Sequence, residues 1–257
     1  MRRAADTLAQ RWDLLAPHLV IERPTGEGPW PTVLMFHGCG GLQTALARHM
    51  RDIADAGFLA VAVDSLAPRK ISRMRAVATV CTGAELPGWK RAGDVLASLW
   101  GVSRIPGADP KRIVLAGWSH GGWSIMDLMT MALTRPGEAG IADPDPALLD
   151  PVRALVLAYP YCGPGALTQL RPWRTRPPAF AFVGEADRVS HPTLCRRAFR
   201  QMERSGVQLQ TWYPTGAPHA FDEGGDIMAK MRFKPDIAAE ARARIVGYLR
   251  QVFADAG

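Results

Sequence analysis

The chain has 257 residues, of which 47% are hydrophobic and 21% are charged. This length and balance predict a single globular domain over residues 1–257 and exclude collagen-like, coiled-coil and disordered proteins. The longest apolar runs, such as residues 58–63, are far shorter than the roughly 20 residues that a membrane-spanning helix requires. We therefore expect no membrane partner.

The formal net charge of +7 favours anionic ligands. Lysines and arginines are scattered in short pairs, such as residues 2–3 and 196–197, and form no long basic run. Nucleic acid is therefore not an expected partner. The N-terminal segment is basic but lacks the continuous apolar stretch of a signal peptide, which predicts a cytoplasmic protein.

Four cysteines, Cys39, Cys81, Cys162 and Cys195, lie far apart in the sequence. The absence of any CxxC pair argues against a zinc site and against a small disulfide-stapled scaffold. We expect free, buried thiols, and one or two disulfides remain the alternative.

Short apolar runs alternate with longer amphipathic segments, the pattern of strands that helices bury on both faces. The predicted strands are 18–22, 32–37, 58–63, 112–117, 154–159, 179–184 and 208–213. The predicted helices are 42–56, 90–101, 121–133, 193–205 and 237–253. Two proline-rich stretches, 136–151 and 164–178, should form loops or short covering elements. Alternation of strand and helix predicts an α/β fold with a mostly parallel sheet, whose ligands bind just after the strands.

The strand at residues 112–117 runs into the sequence GWSHG, residues 117–121. This GxSxG pattern between a strand and a helix is typical of a nucleophile elbow, in which glycines allow a sharp turn that exposes the serine hydroxyl. Ser119 is the candidate nucleophile.

A serine nucleophile needs a base and an acid that orients the base. In this architecture the chain order is serine, acid, histidine, which leaves His191 and His219 as candidate bases. We favour His219, because it follows a predicted strand. Asp187, at the end of the strand 179–184, is the candidate acid, and Glu185 is its competitor.

The tetrahedral intermediate needs two N–H donors. One should be the amide of His120, the residue after the nucleophile. The other should come from the glycine-rich loop 37–41, where we favour the Cys39 amide with Gly40 as the alternative. Cys39 is not expected to be a nucleophile, since no pairing base is evident.

Aromatic residues follow several strands and suggest an apolar cleft. Trp118 and Tyr161 are candidate substrate-binding residues, together with Trp123, Trp173 and Phe221. No metal-ligand spacing and no dinucleotide-binding glycine motif occur, so neither a metal nor a cofactor is expected.

Five motifs occur in a specific order: HGCGGL at 37–42, DSLAPR at 64–69, GWSHGG at 117–122, GEADRVS at 184–190 and PHAFD at 218–222. Together they resemble the dienelactone hydrolase family of α/β-hydrolases. The resemblance implies an α/β-hydrolase fold, with helices on both faces of a mostly parallel sheet of about eight strands, and the hydrolysis of esters or lactones.

Two features of that family bear on Ser119 and Arg69. Its namesake enzymes carry a cysteine at the elbow, where this chain has Ser119; serine fills the same role in much of the superfamily. They also bind a substrate carboxylate through arginine, which suggests this role for Arg69. An ion pair of Arg69 within its own loop, for example with Asp64, is the alternative that we favour.

The residues thus predict a serine hydrolase that cleaves a small-molecule carboxylic ester or lactone through an acyl-enzyme. A peptidase, an acyltransferase and a non-catalytic binding protein on the same scaffold are the alternatives. The sequence leaves monomer and homodimer equally open.

Overall fold

The structure, a computed structural model, describes residues 4–224 and 232–254. Its centre is a seven-stranded sheet with the strand order β1-β3-β2-β4-β5-β6-β7. The strands are β1 Leu19–Glu22, β2 Trp30–Phe36, β3 Leu59–Val63, β4 Ala108–Trp118, β5 Val152–Ala158, β6 Ala179–Phe182 and β7 Leu209–Trp212. β1 runs antiparallel to β3, and all other neighbouring strands are parallel. All seven predicted strands are confirmed, with ends that differ by a few residues.

Helices alternate with the strands along the chain. They are α1 Leu8–Leu15, α2 Thr44–Asp55, α3 Arg73–Arg75, α4 Gly88–Gly101, α5 His120–Met129, α6 Pro192–Arg204 and α7 Pro235–Ala254. α3 continues into a π-helical turn at Ala76–Val80. The five predicted helices are confirmed, whereas α1 and α3 were not predicted. The proline-rich stretches hold only the short 3₁₀ turns Glu138–Gly140, Pro146–Leu149 and Leu167–Gln169.

Burial follows the hydrophobic pattern. Every residue of β3 is buried, because helices cover both faces of the central strands. In α2, the buried residues Leu46, Met50 and Ile53 recur at helical spacing and turn one face of that helix to the sheet. The core is therefore continuous from the sheet into the helices on either side of it.

The described residues form seven strands, where the family resemblance implies about eight. The segment before β1 forms α1 instead of a further edge strand. Leu8, Trp12 and Leu15 are spaced for one helix face and are all buried in the core. This packing accounts for the helical conformation of a segment whose local sequence shows little strand character.

The sheet topology creates a crevice at the carboxyl ends of β2 and β4. β3 and β4 are consecutive in the chain but lie on opposite sides of β2. Phe36 at the end of β2 is paired with Gly117 near the end of β4, so the loops after these strands start side by side. Ligands of open α/β sheets bind at such a switch point.

A second, smaller group of buried apolar residues lies outside the main core. It comprises Leu66, Ile71, Ala76, Val80 and Leu86, and Cys39 packs against it.

The helices were also compared with the length and hydrophobicity that a membrane span requires. Among the described helices, none is long and apolar enough to cross a membrane.

Candidate active site

Ser119 lies on a sharp turn between β4 and α5. Its backbone has φ 50° and ψ −108°, a conformation that costs energy in a residue with a side chain and that concentrates at functional sites. The neighbouring glycines make the turn sterically feasible: a Cβ at Gly117 would lie 2.5 Å from the amide nitrogen of Gly122, and a Cβ at Gly121 would overlap the carbonyl of Phe36. The turn therefore has the geometry of a nucleophile elbow.

The structure brings Ser119, His219 and Asp187 into one hydrogen-bonded row. Ser119 Oγ lies 2.9 Å from His219 Nε2, and His219 Nδ1 lies 2.8 Å from Asp187 Oδ2. A carboxylate accepts hydrogen bonds, so Nδ1 carries the proton and Nε2 is left to accept from the serine hydroxyl. Asp187 is 2% exposed, which shields its contact with the imidazole from water.

The loop that carries Asp187 fixes the orientation of its carboxylate. Asp187 Oδ1 accepts hydrogen bonds from the amides of Val189 and Ser190, each at 2.8 Å. Ser190 Oγ in turn donates to the carbonyl of Tyr159 at 2.9 Å. With Oδ1 held by these amides, Oδ2 is presented to His219.

Glu185 and His191, the alternatives to Asp187 and His219, lie outside this hydrogen-bonded row. Glu185 is exposed and accepts a hydrogen bond from Thr215 at 3.0 Å. His191 is exposed and precedes α6 as its N-cap residue. Within the described residues, neither side chain contacts Ser119.

The glycine-rich loop after β2 passes directly over the elbow. A Cβ at Gly38 would lie 3.5 Å from Ser119 Cβ, in ordinary van der Waals contact, so the loop lies directly against the elbow. Cys39, Gly40 and His120 line the same cavity as Ser119. Their three amides find no acceptor among the described residues, which leaves them available to a ligand oxygen.

Cys39 forms a disulfide bond with Cys81. The expectation of four free thiols is therefore wrong; only Cys162 and Cys195 are free, and both are buried. The bond removes Cys39 as a nucleophile and ties the loop after β2 to the end of the π-helical turn that follows α3.

A cavity of about 390 Å³ opens at Ser119 and His219. Trp118 and Tyr161 line it, as predicted, and so does Trp123, whose ring centroid lies 4.9 Å from that of Tyr161. Trp173 and Phe221 are buried in the core and do not line it, because their rings complete the packing beneath the loops. Further apolar walls come from Leu46, Val77 and Val189.

Arg69 does not line this cavity, so its prediction as a substrate-binding residue is wrong. Its guanidinium donates to both carboxylate oxygens of Asp94, at 3.0 and 2.7 Å. The alternative pairing with Asp64 is also wrong, since Asp64 Oδ1 instead accepts from the amides of Leu66 and Ala67. A bidentate ion pair with Asp94 holds the arginine away from any ligand.

The acidic residues that follow His219, Asp222 and Glu223, were not predicted to belong to the site. Asp222 accepts hydrogen bonds from His49 Nε2 at 2.9 Å and from the Tyr159 hydroxyl at 2.6 Å. The ring of Tyr159 lies edge-on to His219, with centroids 5.0 Å apart. Glu223 lines the cavity, and burial together with the charge of Asp222 raises its pKa to about 7. The motif PHAFDE at 218–223, which places both acidic residues within four positions of His219, is the sequence signal that indicates them.

Between residues 4 and 224 and between 232 and 254, no group of three His, Cys, Asp or Glu side chains could hold a metal ion.

Solved structures with the same fold come from several sources. A Klebsiella pneumoniae protein provisionally named a dienelactone hydrolase has a TM-score of 0.66 at 16% identity, over 91% of this chain and 92% of that one. P91, a dienelactone hydrolase-like promiscuous phosphotriesterase from metagenomic libraries, has a TM-score of 0.64 at 14% identity, over 91% and 98%. The esterase Est2 of Thermogutta terrifontis with bound propionate has a TM-score of 0.63 at 18% identity, over 91% and 89%.

A match in sequence agrees with these structural similarities. No curated protein matches the chain significantly, whereas residues 18–136 match the model of the dienelactone hydrolase family. The resemblance to the dienelactone hydrolase family is thereby confirmed over residues 18–136, which include the first three of the five motifs, and the fold is that of its α/β-hydrolase structural neighbours.

Proposed function

We propose that the chain is a serine esterase that hydrolyses a carboxylic ester or lactone through an acyl-enzyme on Ser119. The observation that carries the proposal is the continuous row from Ser119 through His219 to Asp187, with contacts of 2.9 and 2.8 Å, at the mouth of an apolar cavity. A serine hydroxyl is a poor nucleophile at neutral pH, and this arrangement is the means by which hydrolases activate it.

In the acylation step, Ser119 Oγ attacks the carbonyl carbon of the ester while its proton passes to His219 Nε2. The carbonyl oxygen becomes an oxyanion, to which the amides of Cys39 and His120 donate hydrogen bonds. The N-terminus of α5 adds a partial positive charge at the same place. Collapse of this intermediate breaks the ester C–O bond, and His219 returns the proton to the departing alkoxide.

In the deacylation step, water takes the place of the departed alcohol. His219 removes a proton from the water as its oxygen attacks the acyl carbon, and the second oxyanion uses the same two amides. When the bond to Ser119 Oγ breaks, His219 restores the serine proton and the carboxylic acid leaves. Asp187 stabilises the imidazolium in both steps without itself taking a proton.

The cavity supports a small, moderately apolar substrate. At about 390 Å³, its volume lies near the lower end of ligand pockets. The aromatic wall of Trp118, Trp123 and Tyr161 favours a compact acyl group over a long extended chain. Est2 was solved with propionate and with butyrate, and these short acids agree with the size of the cavity here.

A fluorophosphonate probe tests the mechanism without knowledge of the substrate, because it traps activated serines. Est2 was also solved in phosphonylated form, so this fold accommodates the reaction. We expect labelling of the wild-type protein at Ser119 by peptide mapping, no labelling of Ser119→Ala, and strongly slowed labelling of His219→Ala. His191→Ala is the matched control and should react like the wild type. Absence of labelling in the folded wild-type protein would favour a non-catalytic binding protein.

A further inference from the structure

Arg91 is a buried arginine that bridges the two segments carrying the proposed oxyanion donors. It lies on α4 and is 0% exposed. Its Nη1 donates to the carbonyl of His37 at 2.8 Å and contacts His120 Nδ1 at 3.1 Å. The loop after β2 and the start of α5 are thus held by a single guanidinium nitrogen.

The environment of Arg91 is unusual for a structural arginine. Within the described residues no carboxylate contacts it directly, and its Nη2 has no hydrogen-bond partner. Asp94, three residues further along α4, is already bound by Arg11 and Arg69. A buried charge without a direct counterion destabilises a fold, so a benefit other than stability is expected at this position.

The charge persists at neutral pH. Burial lowers the pKa of Arg91 to about 10, which still leaves the guanidinium protonated near pH 7. Burial, followed by the charge of Arg91, also lowers the pKa of His37 and of His120. Both imidazoles are therefore neutral, and His120 Nδ1 accepts from Arg91 while its Nε2 carries the proton.

The neutral state of His37 sets the direction of the Cys39 amide. His37 Nδ1 donates to the carbonyl of Gly38 at 2.6 Å, and its Nε2 accepts from the amide of Ser65 at 3.1 Å. Because a trans peptide is planar, the Gly38 carbonyl and the Cys39 N–H point in opposite directions. Fixing that carbonyl therefore fixes the Cys39 N–H, and a charged His37 would lose the contact with Ser65.

We propose that Arg91 is a positioning residue for the oxyanion hole: it holds the Cys39 and His120 amides in register and adds positive potential behind them. This inference rests on the proposed acyl-enzyme mechanism. The oxyanion develops only in the transition state, so the contribution of Arg91 falls on the chemical step rather than on substrate binding.

Steady-state kinetics of Arg91→Met on p-nitrophenyl acetate tests the inference. We expect kcat to fall by about 10- to 100-fold, less than the roughly 10²- to 10³-fold loss that follows removal of an oxyanion donor itself, with KM nearly unchanged. The affinity for an aryl trifluoromethyl ketone, which forms an oxyanion with the serine, should fall in parallel. Unchanged kcat and ketone affinity in the folded variant would overturn the inference, as would an increase in KM alone.

Two further variants separate this role from a structural one. Arg11→Met removes another buried arginine, which contacts Asp94 and Asp6 but neither His37 nor His120. It should lower the melting temperature and leave kcat as in the wild type. Arg91→Lys keeps the charge but loses the fork that reaches two acceptors at once, and we expect intermediate kcat and ketone affinity. If Arg91→Met does not fold, wild-type ketone affinity in Arg91→Lys contradicts the inference.

The outcome for the wild-type protein distinguishes the two proposals. Failure of a fluorophosphonate to label wild-type Ser119 overturns the acyl-enzyme mechanism and the role of Arg91 with it. Labelling of the wild type at Ser119, with equally fast labelling of Arg91→Met, leaves the mechanism in place and overturns only the role of Arg91.

Discussion

Cys39 is covalently joined to Cys81, 42 residues further along the chain, so the loop that offers an oxyanion donor is tied to a wall of the cavity. Both residues line the cavity. On the loop-entropy model, closing a loop of this length stabilises the folded state by about 4 kcal/mol. The bond therefore couples the stability of the chain to the shape of its candidate active site.

Thiol titration tests the disulfide directly. We expect two reactive thiols, those of Cys162 and Cys195, in the denatured unreduced protein, and four after reduction. The variant with Cys39→Ala and Cys81→Ala should lose roughly 2–4 kcal/mol of stability in urea unfolding, and its kcat should fall because the Cys39 amide is less well held. Four thiols without reduction would show that the bond is absent in solution.

Asp187→Asn should lower kcat by about 10³- to 10⁴-fold while the fold is retained, because an amide can donate to His219 and favour the wrong tautomer. Glu185→Gln is the matched control, since Glu185 is exposed two residues earlier and contacts Thr215. Its kcat should stay close to the wild-type value. Equal loss of activity in both variants, measured on one p-nitrophenyl ester, would refute the assignment of Asp187.

Tyr161 should limit the length of the acyl group. It lines the cavity and packs against Trp123, so Tyr161→Ala opens space at this wall. We expect kcat/KM to rise for hexanoate relative to acetate esters, by about 10-fold for the apolar contacts of two or more methylenes. Tyr161→Phe keeps the ring and should keep the wild-type preference. An unchanged preference in Tyr161→Ala would place the acyl group elsewhere.

Glu223 should make the stability of the protein fall as the pH rises. Its pKa is raised from 4.5 to about 7 in the folded protein, so the folded state holds this proton to a higher pH than the unfolded state. With respect to this group, stability is then highest below pH 4.5, falls progressively between pH 4.5 and about 7, and changes little above that.

Urea unfolding at pH 5 and pH 8 measures this effect. Glu223→Gln should lose less stability over that interval than the wild type, by on the order of 1 kcal/mol. A residual slope of the same sign is expected from Asp127, whose pKa burial also raises to about 7. Identical slopes for the wild type and Glu223→Gln would rule out the raised pKa.

The sequence was sufficient to predict the sheet and the candidate catalytic row. Buried parallel strands such as β3 are continuous apolar runs, and each side chain of the row lies on a loop directly after a strand. Chain order then left His191 and His219 as candidate bases, and the predicted strand before His219 distinguished the two. The prediction of the sheet is confirmed, and the three side chains meet, because local hydrophobicity and strand order determine where the carboxyl ends of the strands lie; the catalytic role of the row stays a prediction.

The buried charged residues behind the site, Arg91 and Asp94, could not be predicted from local hydrophobicity. Arg91 and Asp94 occur in an amphipathic helix, where charged residues are usually exposed, and only the packing of α4 buries them. Cys39 and Cys81 lack the short spacing that would predict a bond between them. Trp173 and Phe221 come after predicted strands, as Trp118 does, and only the fold shows that their rings are buried in the core.

Acid-quenched intact-mass spectrometry during turnover of p-nitrophenyl butyrate is the most direct test of the central claim. The acyl-enzyme mechanism predicts a covalent butyryl adduct that maps to Ser119, forms with the first burst of p-nitrophenol, and is absent from Ser119→Ala. Turnover of the ester by Ser119→Ala at the wild-type rate, or an adduct on another residue, would contradict the account.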